Sequence, residues 1–243
     1  MAGVNRTLLR LLGVQSGWTY ERMGGIGVAF AARPLLEALA PAERRTAAIA
    51  RSAEFFNSHP WLAGLAVGAE VRAEQDGVAP EQIRRLRTAL GGPLGALGDR
   101  VVWAGIFPLL SGAAILGSLV LGWVVPVAAV LVALLVRLEM TRWALACGLE
   151  SGMQVAAVLK RSVLSRFGTS LGFAAAVAVG LAVPVFARST MEVAGLGLFP
   201  PVVVALSAIF LVIVLRAGSR LPAHRLALVA GAFLLILLRV QRP

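Results

Sequence analysis

Polar and apolar positions divide the chain unevenly, with charges recurring every few residues up to Arg100 and then ceasing from Val101 to Val136. About 20 apolar residues cross a bilayer as a helix, so a run of about 36 is too long for one straight span. Pro108 and Pro126 remove backbone donors, while Gly105, Gly112, Gly117 and Gly122 permit close backbone approach. The pattern predicts a broken or re-entrant pair of membrane helices over 91–136, opened by a glycine-rich loop from Gly91 to Arg100. Non-helical backbone at membrane depth is tolerated only against protein or a water-filled cavity, and discontinuous helices often build transporter sites. A transport subunit is the first functional expectation.

Before this run the pattern is amphipathic. Arg6 and Arg10 interrupt Leu8, Leu9, Leu11 and Leu12, which excludes a signal peptide and predicts a short interfacial anchor. Residues 35–56 read as helix, with Ile49, Ala53 and Phe56 on one stripe, Arg44, Arg45 and Arg51 off it, and Arg51 paired with Glu54 at i, i+3. Asn57 and Ser58 are expected in a turn, and His59, preceding Pro60, is expected to be extended. Trp61–Ala69 is too short to span and ends at Glu70, Arg72, Glu74 and Asp76. Pro80 suits the first turn of a helix that Gly91 and Gly92 would end.

After the run, residues 137–166 carry five cations (Arg137, Arg142, Lys160, Arg161, Arg166) and two acids (Glu139, Glu150), a balance that places them in the cytoplasm. Phe167–Ala187 and Val193–Leu215 predict a membrane hairpin, and Leu226–Leu238 is too short for a full crossing. The expected fold class is an all-α integral membrane protein in four regions: 1–90 amphipathic or interfacial helices, 91–136 the glycine loop and broken membrane helices, 137–166 a cytoplasmic-side amphipathic stretch, and 167–243 the C-terminal transmembrane helices.

Composition agrees: 58% hydrophobic and 14% charged residues, with a mean hydropathy of +0.84, exclude a soluble domain. The net charge of +11 does not imply nucleic acid, because the basic residues flank apolar runs instead of interleaving with aromatics on a polar surface. A single cysteine, Cys147, excludes an internal disulfide and a multi-cysteine metal site; no metal and no cofactor are expected. No Ser/His/Asp triad, HExxH, CxxC or phosphate loop is present, so an independent enzyme is not expected. A membrane enzyme built on Glu54, His59 and Asp99 would need them within hydrogen-bond reach, which nothing local assures. His224, among arginines, reads as a head-group contact.

Three stretches carry a family resemblance: Trp18-Thr19-Tyr20-Glu21-Arg22-Met23, Glu54-Phe55-Phe56-Asn57-Ser58-His59-Pro60, and Gly92-Pro93-Leu94-Gly95-Ala96-Leu97-Gly98-Asp99. In this order and spacing the chain resembles the IID subunit of the mannose-type (mannose, fructose, sorbose) sugar phosphotransferase system (PTS). The resemblance implies a multi-pass subunit of the bacterial cytoplasmic membrane, in a hetero-oligomer with a IIC subunit. The pair would move a hexose inward while cytoplasmic IIA and IIB carry phosphate and IIB phosphorylates the sugar; His59 would not be the phosphorylated residue. Membrane lipid is the surrounding partner. Candidate positions for the sugar path or the IIC interface are Trp18, Tyr20, Glu21, Arg22, Met23, Phe55, Phe56, Asn57, His59, Pro60, Gly92, Pro93, Gly95, Gly98 and Asp99.

Gly92, Gly95 and Gly98 at spacing three leave a bare helix face, or a loop that a sugar or another chain can approach. Asp99 is the only acid between Glu81 and Glu139. It can accept hydrogen bonds from sugar hydroxyls, pair with Arg100 or Arg22, or cap the next helix. Thr19 stands where the family usually has asparagine, Ser52 where it has histidine, and Arg100 where it has a small residue or proline. These departures keep open an alternative, a non-transporting paralogue acting as a membrane scaffold or regulatory subunit.

Overall fold

The computed structural model describes residues 3–193, whose regular structure is helical apart from two isolated β-bridges. The chain divides into two compact units, Met1–Val179 and Gly180–Pro243. In the second, the described residues are the helical ones from Gly180 to Val193. The predicted span Val193–Leu215, the short stretch 226–238 and His224 lie outside the described residues, Val193 excepted.

The first unit is built on the segment that sequence length dismissed. Helix α4 (Ala63–Gln75) is buried at every position except Arg72 and Gln75, and it lies against α7 (Val124–Ser151). Small residues make this possible. A Cβ on Gly68 would stand 2.6 Å from both the Leu145 carbonyl oxygen and the Leu149 nitrogen, and one on Gly148 would overlap the Leu65 carbonyl. Gly64-Leu65-Ala66-Val67-Gly68 thus reads as a small-xxx-small contact face. Around this pair pack α1 (Val4–Leu12), α2 (Gly25–Leu36), α3 (Ala42–Ser52) and α5 (Pro80–Gly98). The N-terminal anchor is amphipathic as expected, with Thr7 and Leu11 buried and Leu9 exposed.

Glu70 and Glu74, expected at the polar end of a short apolar piece, are buried on α4 and face arginines from its neighbours. Arg51 of α3 meets Glu74 at 2.6 Å, and Arg87 of α5 meets Glu70 at 2.5 Å. The expected Arg51–Glu54 pair does not form; Glu54 pairs with Arg84 at 3.0 Å.

The glycine-rich stretch is helix, not loop. From Pro80 the chain runs as helix through Gly91 and Gly92 to Gly98, widens into a π-helical stretch at Asp99–Ile106, and continues as α6 (Phe107–Leu121). Glycine costs a helix about 1 kcal/mol per residue relative to alanine, but here it clears the face that another segment crosses. The break in the apolar run comes at Gly122, with φ of 63°, which turns the chain at Trp123 into α7. Pro126 does not break it, because it sits in the first turn of α7, where a missing N–H leaves no helical bond unmade, and Pro108 is carried inside the continuous helix just after the π-helical stretch.

The resulting α6–α7 hairpin is clothed in exposed apolar side chains, including Val120, Leu121, Trp123 and Val130. Pro80–Leu121 and Val124–Val183 are long and apolar enough to cross a membrane, with windows of mean hydropathy 2.0 and 2.1. An outward-facing apolar surface of this extent is that of a membrane protein. After α7 come α8 (Val155–Arg161) and α9 (Val163–Val193), which covers the first predicted span of the C-terminal hairpin. Within the first unit α9 meets the hairpin where Gly105 faces Leu171 and Gly112 faces Ala178.

Candidate functional site

The stretch Trp18–Met23 closes on itself: the Met23 N–H donates to the Thr19 carbonyl at 2.7 Å and the Thr19 N–H to the Met23 carbonyl at 3.2 Å. The Thr19 hydroxyl accepts from the Arg22 N–H at 3.2 Å. This knot then pairs with the second stretch, since the Phe56 N–H donates to the Arg22 carbonyl at 3.2 Å and the Gly24 N–H to the Phe56 carbonyl at 2.9 Å. From the other side the Arg87 guanidinium donates to the Ser52 and Glu54 carbonyls at 3.0 and 3.1 Å and lies 5.1 Å from the Phe56 ring centroid.

Held from both sides, Asn57–His59 runs without regular structure and not as the expected turn, and it crosses the glycine face of α5. A Cβ on Gly91 would stand 3.1 Å from the Asn57 carbonyl oxygen, and one on Gly98 would overlap the His59 side chain. The three stretches therefore enclose one cavity of ≈ 450 Å³.

Of the residues expected from the sequence, Trp18, Phe56, Asn57, His59, Pro60, Gly92, Gly95 and Asp99 line this cavity. The others stand behind or away from it. Arg22 and Met23 carry the backbone pairing to Phe56, and Gly98 receives His59. Tyr20 is exposed beside Trp18, with ring centroids 5.0 Å apart, while Glu21 and Phe55 are exposed and Pro93 lies on the far side of α5 from the lining glycines.

Two polar groups give the cavity its chemistry. His59 is 2% exposed; its Nδ1 accepts the Trp61 N–H at 3.3 Å, so in the neutral ring Nε2 carries the hydrogen, and that atom is buried without a partner among the described residues. The Ser58 hydroxyl is also buried, with no partner among the described residues. Burial lowers the His59 pKa, with Asp99 opposing by raising it and Arg137 lowering it further. The ring is therefore a neutral donor at neutral pH.

Asp99 supplies acceptors. It sits inside a continuous helix, makes no capping bond, and pairs with neither Arg100 nor Arg22 among the described residues, so two of the three sequence readings fall away. A π-helical turn widens the backbone at this point, a distortion frequent at functional sites. Apolar surface comes from Trp103, whose ring lies 5.7 Å from His59 and stacks on Phe107 at 5.1 Å; Trp61, 5.6 Å from Phe107, stands behind it. Glu54 does not join the cavity, which leaves a Glu54–His59–Asp99 catalytic group unformed.

A sequence model described as the PTS system mannose/fructose/sorbose family IID component matches residues 2–214. The chain belongs to this family. Relatives include the mannose-specific EIID component of Escherichia coli (strain K12), 32% identical over 152 residues, 58% of this chain and 52% of the relative. The fructose permease IID component of Bacillus subtilis (strain 168) is 32% identical over 111 residues, 43% of this chain and 40% of the relative. The chain thus spans about half the length of the curated relatives it matches. A cryo-EM structure of the mannose transporter ManYZ with microcin E492 contains a chain of the same fold, with a TM-score of 0.59 at 20% identity over 97% of this chain and 94% of that one. A second solved structure, described as a membrane protein, gives a TM-score of 0.70 at 21% identity, again over 97% and 94%.

Within this IID chain the departures from the family pattern acquire physical roles. Thr19 uses its hydroxyl to close the Trp18–Met23 knot, a task an asparagine side chain also performs in turns. Ser52 is fully buried and donates to Glu70 at 2.7 Å, so it belongs to the ionic cluster and not to the cavity. Arg100 is exposed next to Asp99. Trp103 and Gly91 are lining residues that were not among the candidate site positions; the available signal was the spacing of four that puts Asp99, Trp103 and Phe107 in one row.

Proposed function

We propose that this IID chain works as the membrane subunit of a mannose-family sugar permease in the bacterial cytoplasmic membrane, crossing it more than once. In this reading it joins a IIC subunit to form the translocation complex, and IIB phosphorylates the arriving sugar after IIA has supplied phosphate. The cavity of ≈ 450 Å³ is the part of the hexose path that this chain contributes. One observation carries the reading: the family's three motif stretches, far apart in sequence, meet around one cavity lined by His59, an acid and an indole ring.

The chemistry fits a hexose. A sugar hydroxyl donates as well as accepts, so it can donate to the Asp99 carboxylate that the cavity lining presents. An apolar sugar face can rest on Trp103, as apolar surface does on an indole. Of the three departures that motivate the scaffold alternative, Thr19 and Ser52 have local roles that leave the cavity intact.

The test is uptake of labelled hexose in cells supplied with the IIA, IIB and IIC partners. Asp99→Asn keeps the shape and removes a charge-assisted acceptor, which corresponds to about a tenfold loss of uptake with membrane insertion unchanged. Uptake equal to the parent would remove Asp99 and its cavity from the sugar path.

A further inference from the structure

A second cavity, of ≈ 820 Å³, lies away from the three motif stretches, between the C-terminal half of α7 and the turn joining α8 to α9. Its walls are apolar, with Leu135, Met140, Trp143, Val158 and Leu164 among them, and its polar groups are confined to Glu139, Arg161 and Ser162. A hexose has nothing to bond along such walls. The charges nearby are unbalanced: Lys160, Arg161 and Arg166 are exposed and make no ion pair among the described residues, while Glu139 has Arg142 at 3.9 Å.

We propose that this groove holds one anionic phospholipid, with an acyl chain along Leu135, Met140 and Trp143 and the phosphate against Lys160 and Arg161. One cation in the lining of an apolar groove, Arg161, with the exposed Lys160 next to it in sequence, within helices apolar enough to cross a membrane, matches a molecule with an anionic head and an apolar tail. The start of α9 at Val163 adds the positive end of a 31-residue helix beside that head. A polypeptide occupant fits less well, because its backbone polar groups would meet partners only at Glu139, Arg161 and Ser162.

The chain's one cysteine makes the groove testable. Cys147 lines it and is 9% exposed. The full chain, with its copurifying partner if one is present, is reconstituted in nanodiscs of phosphatidylcholine or of phosphatidylglycerol and alkylated with uncharged N-ethylmaleimide. Bound lipid should slow Cys147 alkylation at least fivefold in phosphatidylglycerol, and the double variant Lys160→Gln/Arg161→Gln should lose that protection. Native mass spectrometry should find one phosphatidylglycerol retained by the parent and lost from the double variant. Equal rates in the two lipids, or protection that persists in the double variant, overturns the proposal. If Cys147 reacts in neither lipid, absence of a retained phosphatidylglycerol in the mass spectrum overturns it.

Discussion

At the scale of single residues, the cavity depends on two side chains whose burial is compensated in different ways. His59 is buried with one ring nitrogen bonded and the other unsatisfied, an arrangement that costs about 1–3 kcal/mol unless something arrives to accept the hydrogen. Its pKa lies below the ordinary 6.5 because burial disfavours the imidazolium. The sign follows: above pH 6.5 the ring is neutral in both folded and unfolded chains and contributes no pH dependence. Below it the unfolded chain takes up the proton first, so stability falls as pH drops from 6.5 through the lowered folded value. Thermal unfolding of the parent should therefore lose ground to His59→Gln as pH is lowered from 7 to about 5. Parallel curves for the two proteins would remove the titration of His59 from the account.

Arg87 is the opposite case, a buried cation fully used. It meets Glu70, the Ser52 and Glu54 carbonyls and the Phe56 ring at once. Burial raises the Glu70 pKa, against the pull of Arg87 and Ser52 and with a small further push from Glu74 one turn on. Removing the guanidinium would leave that carboxylate unpaired and free the segment leading to Asn57. Arg87→Ala should cost about 3–5 kcal/mol in unfolding free energy, and Arg87→Lys, which keeps the charge but not the fork of donors, should recover only part of it. A loss below 1 kcal/mol for the alanine variant, read by denaturant titration in detergent, would contradict this placement.

At the scale of elements, what the sequence made legible was local, and what it hid was long-range. Pro80 marked the start of α5, the uncharged run from Val101 to Val136 announced a bent membrane element, and the order of the three motif stretches pointed to eight cavity residues. The glycines from Gly91 to Gly98 read as a loop because glycine and proline are poor helix formers in isolation. Their bare face becomes favourable only when Asn57–His59 lies across it, a contact that periodicity cannot reveal. α4 was underrated for a similar reason. Glu70 and Glu74 looked like the solvent end of a short apolar piece, and their partners Arg87 and Arg51 lie 17 and 23 residues away in sequence.

The same helix yields a sharp prediction. Gly68→Val would drive side-chain atoms into the Leu145–Leu149 backbone of α7, and since two backbones cannot yield as a flexible side chain does, the helices must separate. Destabilisation of about 3 kcal/mol or more is expected. Gly92→Ala, where a Cβ meets nothing within 4 Å, should leave stability unchanged or slightly raised and serves as the matched control in the same melting experiment.

At the scale of the molecule, the first unit combines a packed core around α4 and an apolar hairpin whose surface is mostly uncovered. The hairpin turns at Gly122 and Trp123, and Trp123 is 76% exposed at its tip, where an indole suits a membrane–water interface. From Val101 to Leu121 the helix carries no charge and, at about 1.5 Å per residue, is long enough to cross a hydrocarbon core of about 30 Å. The cations Arg137, Arg142, Lys160, Arg161 and Arg166 gather on the returning side, which the positive-inside rule assigns to the cytoplasm. If both statements hold, the tip reaches the outer face and the hairpin is a pair of crossings, not a re-entrant loop. A Cys147→Ser background carrying Trp123→Cys should then be modified by a membrane-impermeant maleimide added to intact cells. Lys160→Cys in the same background should react only after the cells are opened. Protection of Trp123→Cys in intact cells, with labelling after detergent, would make the hairpin re-entrant and would place its aromatic tip inside the membrane or against a partner chain.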